Sequence, residues 1–278
     1  MNTVKKVAVI NDLSGIGRCS LTAAIPILSA LGVQCCPFPT AVLSCQTGYD
    51  EFTFLDITDE MYKYKKSWDK LNVKFDCIYS GFLGSEEQIN IVYHMAKEHE
   101  ESLIVIDPVM GDEGYIYDTF TENMSNKMKE LIRIADIVTP NLTEACLLTG
   151  SSYKKYNTSD EELIYMAKKI GKLGPKVVII TGIVRNNKMY NFAYDIRQDE
   201  YFLVGKEFVD KSFSGTGDTF ASILIGLLLN DHNLQFSIEK AAEFLYKAIK
   251  HTDNLNTDPK EGILFEVHLK ELILINEE

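Results

Sequence analysis

The sequence predicts a three-layer α/β fold with a mostly parallel central sheet. Short apolar runs alternate along the chain with longer segments of helical periodicity. The apolar content of these runs is continuous, which is typical of parallel strands covered on both faces. Hydrophobic residues make up 46% of the 278 residues, and no Pro, Gly or Ser-rich linker interrupts them. We therefore predict a single domain over residues 1–278.

The elements follow one another in a regular order, with right-handed crossovers expected between the parallel strands. Buried strands are predicted at residues 7–10, 33–37, 77–80, 103–107, 137–139 and 177–181. Helices are predicted at residues 21–31, 59–70, 86–99, 122–134, 160–173, 217–229 and 237–252. Residues 188–195 and 200–208 break this rhythm and predict an antiparallel hairpin.

Composition excludes several classes of function. The net charge of −12 disfavours a nucleic-acid partner, because an acidic surface repels phosphate backbones. The longest apolar stretch, near residues 220–229, is too short to cross a bilayer, and the apolar run at the start is too short for a secretory signal. The six cysteines form no CxxC pair, so we expect free thiols in a reducing cytoplasm rather than a zinc site.

Polar and glycine residues gather directly after five of the predicted strands. These turns are residues 11–17, 80–85, 107–112, 139–144 and 181–182. Turns are rich in such residues for conformational reasons alone. Ligands of open parallel sheets bind at the carboxyl ends of the strands, however, so five such turns at one edge favour a binding site there.

The sharpest local feature is Gly215-Thr216-Gly217-Asp218, directly before an apolar helix. Because Gly215 and Gly217 lack side chains, successive backbone N–H groups can converge on an anion, and the helix N-terminus adds further donors. Its partial positive charge is expected to keep Asp218 ionised, as the general base of a phosphoryl transfer requires. A glycine turn with Asp218 as an ordinary helix-start residue explains the spacing equally well.

Two other patterns have a candidate chemistry. Asp112 and Glu144 follow adjacent predicted strands and could hold Mg²⁺, which takes one or two carboxylates and keeps several waters. Helix capping is the alternative role of each. Residues 15–20 nearly match the dinucleotide-binding GxGxxG pattern, but the third glycine is missing and no acidic residue ends the second strand. A dehydrogenase is therefore disfavoured.

Four segments together resemble the pyridoxal kinase branch of the ribokinase superfamily, in the same order and over nearly the whole chain. Residues 80–85 (SGFLGS) are similar to the SGYLGS stretch of that branch, and residues 107–112 match its DPVMGD motif. Residues 139–144 (TPNLTE) resemble TPNxxE, and residues 215–218 resemble the GTGD anion hole of the superfamily. GTGD alone indicates a ribokinase-like kinase, whereas the whole set is more specific.

The resemblance implies a ribokinase-like fold and ATP-dependent phosphorylation of the 5′-hydroxymethyl group of a B6 vitamer. It also implies a homodimer that needs Mg²⁺, and many members respond to K⁺. The resemblance implies a catalytic base at Asp218 and an anion hole formed by Gly215, Thr216 and Gly217. It implies Mg²⁺ ligation by Asp112 and Glu144 with Asp107 nearby, and ATP contacts at Asp112, Glu144, Thr139, Asn141 and Thr181. The implied substrate pocket is lined by Asp12, Gln46, Thr47, Phe82 and Tyr117.

Three positions depart from the family pattern, namely Asp12 where Ser is common, Gln46 where His is usual and Phe82 where Tyr is usual. Asp12 could bind a protonated pyridine nitrogen or the amine of pyridoxamine. Gln46 lies in residues 40–54, a segment expected to form a flap over the ring. Two alternatives remain open, a hydroxymethylpyrimidine kinase from a neighbouring branch and a non-catalytic vitamin-binding protein. The intact acids Asp218, Asp112 and Glu144 argue against the second.

Overall fold

The computed structural model describes residues 4–118 and 120–275. Its strands are Lys6–Ser14 (β1), Gln34–Leu43 (β2), Phe54–Asp56 (β3), Cys77–Ser80 (β4), Leu103–Ile106 (β5), Gly111–Asp112 (β6), Tyr115–Ile116 (β7), Ile137–Val138 (β8), Val177–Arg185 (β9), Lys188–Asp195 (β10) and Glu200–Glu207 (β11). Its α-helices are Ser20–Ala30 (α1), Thr58–Lys70 (α2), Glu86–Glu98 (α3), Glu122–Ile132 (α4), Leu142–Thr149 (α5), Asp160–Gly171 (α6), Thr216–Leu229 (α7), Leu234–Asn254 (α8) and Leu269–Ile275 (α9). Short 3₁₀ turns cover Pro259–Glu261 and Glu266–His268.

The fold class is three-layer α/β with a mostly parallel sheet, as the sequence predicts. The described residues form two compact units. The first runs up to Phe82 and resumes at Val209, and the second is Leu83–Phe208. The single domain expected from the sequence stays a prediction.

The first unit has the strand order β4-β1-β2-β3, in which β1 is parallel to β2 and to β4. The apolar residues Val7 to Ile10 are fully buried, as a two-sided strand requires. The prediction that β1 ends at residue 10 was wrong, because pairing with β2 continues to Ser14 past a register shift between Asn11 and Leu13. Polar residues of the predicted turn therefore lie on the strand itself.

Strand β2 was predicted to end at Pro37 and instead runs to Leu43. Its two prolines, Pro37 and Pro39, pair with Val9 and Asn11 of β1. Proline has no backbone N–H to donate to a neighbouring strand. On the other edge of β2, the short antiparallel strand β3 pairs only with residues 41–43 within the described chain. The two prolines are thus tolerated, because the strand needs no N–H donor towards that edge at positions 37 and 39.

The second unit has the strand order β11-β10-β9-β8-β5, with β5, β8 and β9 parallel. The predicted hairpin is confirmed, since β10 pairs antiparallel with β9 and β11. Strand β9 was predicted to end at Thr181 but continues to Arg185, so residues 181 and 182 lie inside a strand and not in a turn after it. Helix α5 was not predicted. No helix in the described ranges 4–118 and 120–275 is long and apolar enough to cross a membrane.

Candidate active site

Helix α7 begins as the Gly-Thr-Gly-Asp pattern predicts. Gly215 is its N-cap with φ +75°, in the left-handed region, and Asp218 lies in the first turn. A Cβ atom at Gly215 would lie 2.0 Å from the carbonyl oxygen of Arg18. Glycine is therefore required at this position for two reasons, the left-handed backbone conformation and the close approach of the Arg18 carbonyl.

Both carboxylate oxygens of Asp218 accept hydrogen bonds from the start of the chain. The side-chain amide of Asn11 donates to Oδ1 at 2.8 Å, and the backbone N–H of Ser20 donates to Oδ2 at 2.7 Å. Burial raises the pKa of Asp218, and the nearby charge of Asp12 adds to the rise, while the bonds from Ser20, Asn11 and Tyr79 lower it. The helix start was expected to favour the ionised form, but burial outweighs it.

The orientation of the Asn11 amide follows from its other contacts. Its Oδ1 accepts the backbone N–H groups of Asp12 at 3.0 Å and of Phe82 at 2.9 Å, so its NH₂ group must face Asp218. A Cβ at Gly81 would lie 2.4 Å from that NH₂ group. Asn11 is a site residue that the sequence did not assign. The signal that could have found it is an Asn directly after a continuous apolar strand.

Asp12, the first candidate substrate-binding residue, is 7% exposed. Its two carboxylate oxygens accept the hydroxyl groups of Ser20 at 2.5 Å and of Ser14 at 2.8 Å. Burial raises the pKa of Asp12, and these two hydroxyl bonds lower it. A buried carboxylate held in this way can recognise a cationic or N–H donor group of a ligand.

The loop between β2 and β3, residues 44–53, forms the central part of the expected flap. Gln46 ties it down: its Nε2 donates to the carbonyl of Lys260 at 3.0 Å, and its Oε1 accepts the N–H of Gly48 at 2.6 Å. Thr47 is exposed. Phe82 is half-buried, and its carbonyl accepts the Thr40 hydroxyl at 3.1 Å.

In the second unit, Glu144 is buried and caps a helix. Its side chain accepts the N–H of Asn141 at 2.8 Å, while the Asn141 side chain accepts the N–H of Glu144 at 2.9 Å, which is a capping box at the start of α5. Its other oxygen accepts the N–H of Met110 at 3.1 Å. Burial raises the pKa of Glu144, and Asp107 and Asp112 raise it further. The capping alternative is thus confirmed for Glu144, without excluding a metal role.

Asp112 does not cap a helix, since it lies in the short strand β6 and its Oδ1 accepts the N–H of Glu113 at 2.8 Å. The residue is exposed, yet partial burial of its carboxyl group raises its pKa. Asp107 is 8% exposed. Within the part of the chain that the structure describes, no group of three or more His, Cys, Asp or Glu side chains is arranged to hold a metal ion.

Two of the remaining predicted nucleotide residues, Asn141 and Thr181, are bonded to segments that flank these acids. The Asn141 amide donates to the carbonyl of Gly111 at 2.8 Å, and Thr181 donates its N–H to Pro140 at 2.9 Å and bridges to Asn141. The Thr139 hydroxyl is buried and has no hydrogen-bond partner among the described residues. Tyr117 is 44% exposed, and its N–H donates to the carbonyl of Met110 at 3.0 Å.

Comparison with known proteins confirms the predicted resemblance. A family model described as phosphomethylpyrimidine kinase matches residues 19–262. A solved structure from Bacteroides thetaiotaomicron, described as a phosphomethylpyrimidine kinase in a form with pyridoxal, is 44% identical, with a TM-score of 0.93 over 97% of this chain and 96% of that one. Pyridoxal kinase from Lactobacillus plantarum is 28% identical, with a TM-score of 0.91 over 99% of each chain. Hydroxymethylpyrimidine/phosphomethylpyrimidine kinase from Aquifex aeolicus is 31% identical over 178 residues, which are 63% of this chain and 67% of that protein.

Proposed function

The chain belongs to the phosphomethylpyrimidine kinase family, and from that premise we propose that it phosphorylates the 5′-hydroxymethyl group of a B6 vitamer with ATP. The observation that carries the choice of substrate is the Bacteroides relative with pyridoxal, which matches 97% of this chain at 44% identity. The buried carboxylate of Asp12 is compatible with this choice, because it suits the protonated nitrogen of a pyridine ring or the amine of pyridoxamine.

Asp218 acts as the general base in this proposal. The hydroxymethyl group of the substrate transfers its proton to Asp218 as its oxygen bonds to the γ-phosphorus of ATP. The bond from that phosphorus to the bridging oxygen breaks, and ADP leaves with this oxygen. Burial raises the pKa of Asp218 and so makes it a stronger base, while the donors Asn11 and Ser20 fix the carboxylate in one orientation. The N–H groups of residues 215–217 stabilise the charge of the transferring phosphoryl group.

Other residues of the first unit are proposed to bind the substrate. Asp12 binds the ring nitrogen or the amine, and Phe82 lines the ring. Gln46 and Thr47 belong to the loop that closes over the ring and excludes water. The bonds of the Gln46 side chain to Lys260 and Gly48 support this role, because they add to the backbone bond from the Gln46 N–H to the Ile16 carbonyl at 2.9 Å. Tyr117 is proposed, by resemblance to the family alone, as a residue of the substrate pocket.

Nucleotide and metal contacts are proposed for the second unit. Asp112 and Glu144 fit Mg²⁺ by their chemistry, since both are carboxylates and the charges of Asp107 and Asp112 already act on Glu144. Mg²⁺, when bound, supplies positive charge that offsets the phosphate oxygens. The buried Thr139 hydroxyl, with Asn141 and Thr181, is proposed to contact the ATP phosphates. A response to K⁺ and a homodimeric state are proposed by resemblance to the family, and a cytoplasmic location is proposed from the scattered cysteines.

A second candidate is hydroxymethylpyrimidine, the substrate named for the Aquifex relative. Its hydroxymethyl group would meet Asp218 in the same way, and its amino group could donate to Asp12. One changed pocket contact alters the free energy of transition-state binding by only about 1–3 kcal/mol, so the site discriminates weakly between the two rings.

The test measures ADP release from Mg-ATP with pyridoxal, pyridoxine, pyridoxamine and hydroxymethylpyrimidine in parallel, for wild type and Asp218→Asn. We expect turnover of a B6 vitamer and a loss of about 10²–10⁴-fold in kcat in the variant, because a general base is removed. Asp69→Asn, which changes an exposed carboxylate on α2, is the matched control and keeps wild-type turnover.

Each other outcome has a defined meaning. Turnover of the pyrimidine alone would replace the substrate and keep the mechanism. Binding of a vitamer without ADP release would favour the non-catalytic alternative. Wild-type kcat in Asp218→Asn would remove Asp218 from the chemistry.

A further inference from the structure

Ser20 contacts the carboxylates of both Asp12 and Asp218. Its backbone N–H donates to Oδ2 of Asp218 at 2.7 Å, and its hydroxyl donates to Oδ1 of Asp12 at 2.5 Å. The residue is 7% exposed, so water competes little for either bond. The two acids that carry recognition and proton transfer in the proposed function therefore share one neighbour.

The backbone of Ser20 has a conformation that serine rarely adopts. Its φ is +49°, in the left-handed region, although it is the first residue of helix α1. Cys19, the N-cap, makes no side-chain capping bond. The Ser20 hydroxyl bond to Asp12 is thus a side-chain contact that holds this unfavourable turn in place.

Two of the donors to Asp218, Asn11 and Ser20, are fixed in different ways. The amide of Asn11 is held by backbone N–H groups of Asp12 and Phe82 and does not depend on a carboxylate. The N–H of Ser20 points at Asp218 because of a left-handed turn, and the side chain that stabilises the turn is bound to Asp12. A change at the Asp12 carboxylate can therefore reach Asp218 through Ser20.

We infer that Ser20 is a positioning residue that couples the substrate-binding carboxylate of Asp12 to the base Asp218. The inference rests on the proposed function for the roles of the two acids. Its hydroxyl anchors the left-handed turn on Asp12, and the turn aims the N–H at Asp218. Substrates that engage Asp12 then affect kcat as well as KM.

Ser20→Ala and Ser20→Gly separate this role from simple hydrogen bonding. Both lose the hydroxyl bond to Asp12, but glycine adopts the left-handed region without strain and alanine does not. We expect kcat to fall about tenfold in Ser20→Ala and to stay within about threefold of wild type in Ser20→Gly, while KM rises in both. Ser14→Ala removes the bond to the other oxygen of Asp12 and leaves residue 20 unchanged, so KM rises more than kcat falls.

Amide hydrogen exchange of residue 20 in the substrate-free protein gives a second readout that needs no turnover. We expect slow exchange in wild type, Ser14→Ala and Ser20→Gly, and exchange about tenfold faster in Ser20→Ala. Equal kcat in the Ala and Gly variants, or unchanged exchange in Ser20→Ala, would overturn the coupling. If wild type phosphorylates none of the tested substrates, the proposed function fails. The exchange measurement still decides whether a residue with a side chain at position 20 needs the Asp12 bond to keep the left-handed turn that aims the N–H.

Discussion

Gly215 shows how a single residue determines whether the loop before α7 can form. Its φ of +75° already excludes most side chains, and its added Cβ would lie 2.0 Å from a backbone oxygen that cannot move aside alone. Gly150, the C-cap of α5, has a similar φ of +68° but nothing within 4 Å of an added Cβ. The two glycines therefore separate backbone strain from steric exclusion.

Replacing each of them by alanine gives a matched comparison. Gly150→Ala should cost about 1 kcal/mol of unfolding free energy and leave kcat unchanged, because only the left-handed conformation is penalised. Gly215→Ala should cost about 2–4 kcal/mol and lower kcat at least about 100-fold, because the loop must also move away from Arg18. Urea unfolding and ADP release measure the two effects. Similar kcat values in both variants would show that the loop before α7 is not the anion hole.

Whether sequence reasoning could find a site residue depended on how far apart its partners lie. The Gly-Thr-Gly-Asp spacing is local, so the loop and the placement of Asp218 in the first helical turn followed from the sequence. The donors to Asp218 did not, because Asn11 and Ser20 lie 207 and 198 positions away along the chain. Nothing local to Ser20 indicates a left-handed turn, because its immediate neighbours in the sequence carry no Gly-type turn signal and its hydroxyl partner Asp12 lies eight positions away.

The 3₁₀ turn Pro259–Glu261 contacts two loops to which the proposed function assigns a role. Its Lys260 carbonyl accepts the Gln46 amide of the loop between β2 and β3, and its Pro259 carbonyl accepts the N–H of Ser214 at 3.2 Å, next to the glycine loop. The Lys260 ammonium also pairs with Asp50 at 3.3 Å. The turn therefore links the expected flap to the start of α7.

These contacts differ in expected strength. The Asp50 side chain is 97% exposed, so its pair with Lys260 contributes little, whereas Gln46 makes two directed bonds. We expect Gln46→Ala to raise KM for the vitamer about tenfold and to speed amide exchange across residues 44–53. Lys260→Ala, which keeps its backbone carbonyl, is the control and should change KM less than about twofold. The reverse order of effects would mean that the ion pair, and not the amide, holds the loop.

The bounds of a strand were predictable where turn residues flank it on both sides. Cys77–Ser80 and Lys188–Asp195 match the structure at both ends, because turn residues bound each run on both sides. Strand β2 was predicted too short, because prolines normally end a strand. Only the pairing pattern of β2 shows why its two prolines are tolerated. Helix α5 was missed because its eight residues are nearly all buried and show no polar face. The Asn141 and Glu144 capping box was the available signal for it.

At the scale of the whole molecule, buried carboxylates link function to stability. The chain has a net charge of −12, and burial of Asp12 and Asp218 in the first unit raises the pKa of each. Such groups oppose folding when they are ionised, because the unfolded chain solvates the charge better. The acids that the proposed reaction requires are thus expected to destabilise the fold at neutral pH.

The pH dependence of stability gives the sign of this effect. Because the pKa of Asp12 is raised above its ordinary value of 3.8, the folded state binds the proton more readily than the unfolded state between those two values. The unfolding free energy therefore falls as pH rises through that window, and the destabilisation is complete above the folded pKa and absent well below 3.8. Stability at neutral pH is lower than it would be without the charge.

Asp12→Asn removes the charge and keeps the shape of the side chain. We expect its Tm at pH 7.5 to exceed that of wild type by about 2–4 °C, with the difference shrinking as pH falls towards the ordinary carboxyl pKa, and vitamer KM to rise at the same time. Asp69→Asn on the exposed face of α2 should leave Tm unchanged at every pH. Thermal unfolding from pH 4 to pH 8 measures both. A lower Tm for Asp12→Asn at pH 7.5 would mean that the Ser14 and Ser20 bonds to the carboxylate outweigh its burial, and that Asp12 is retained for stability as well as for recognition.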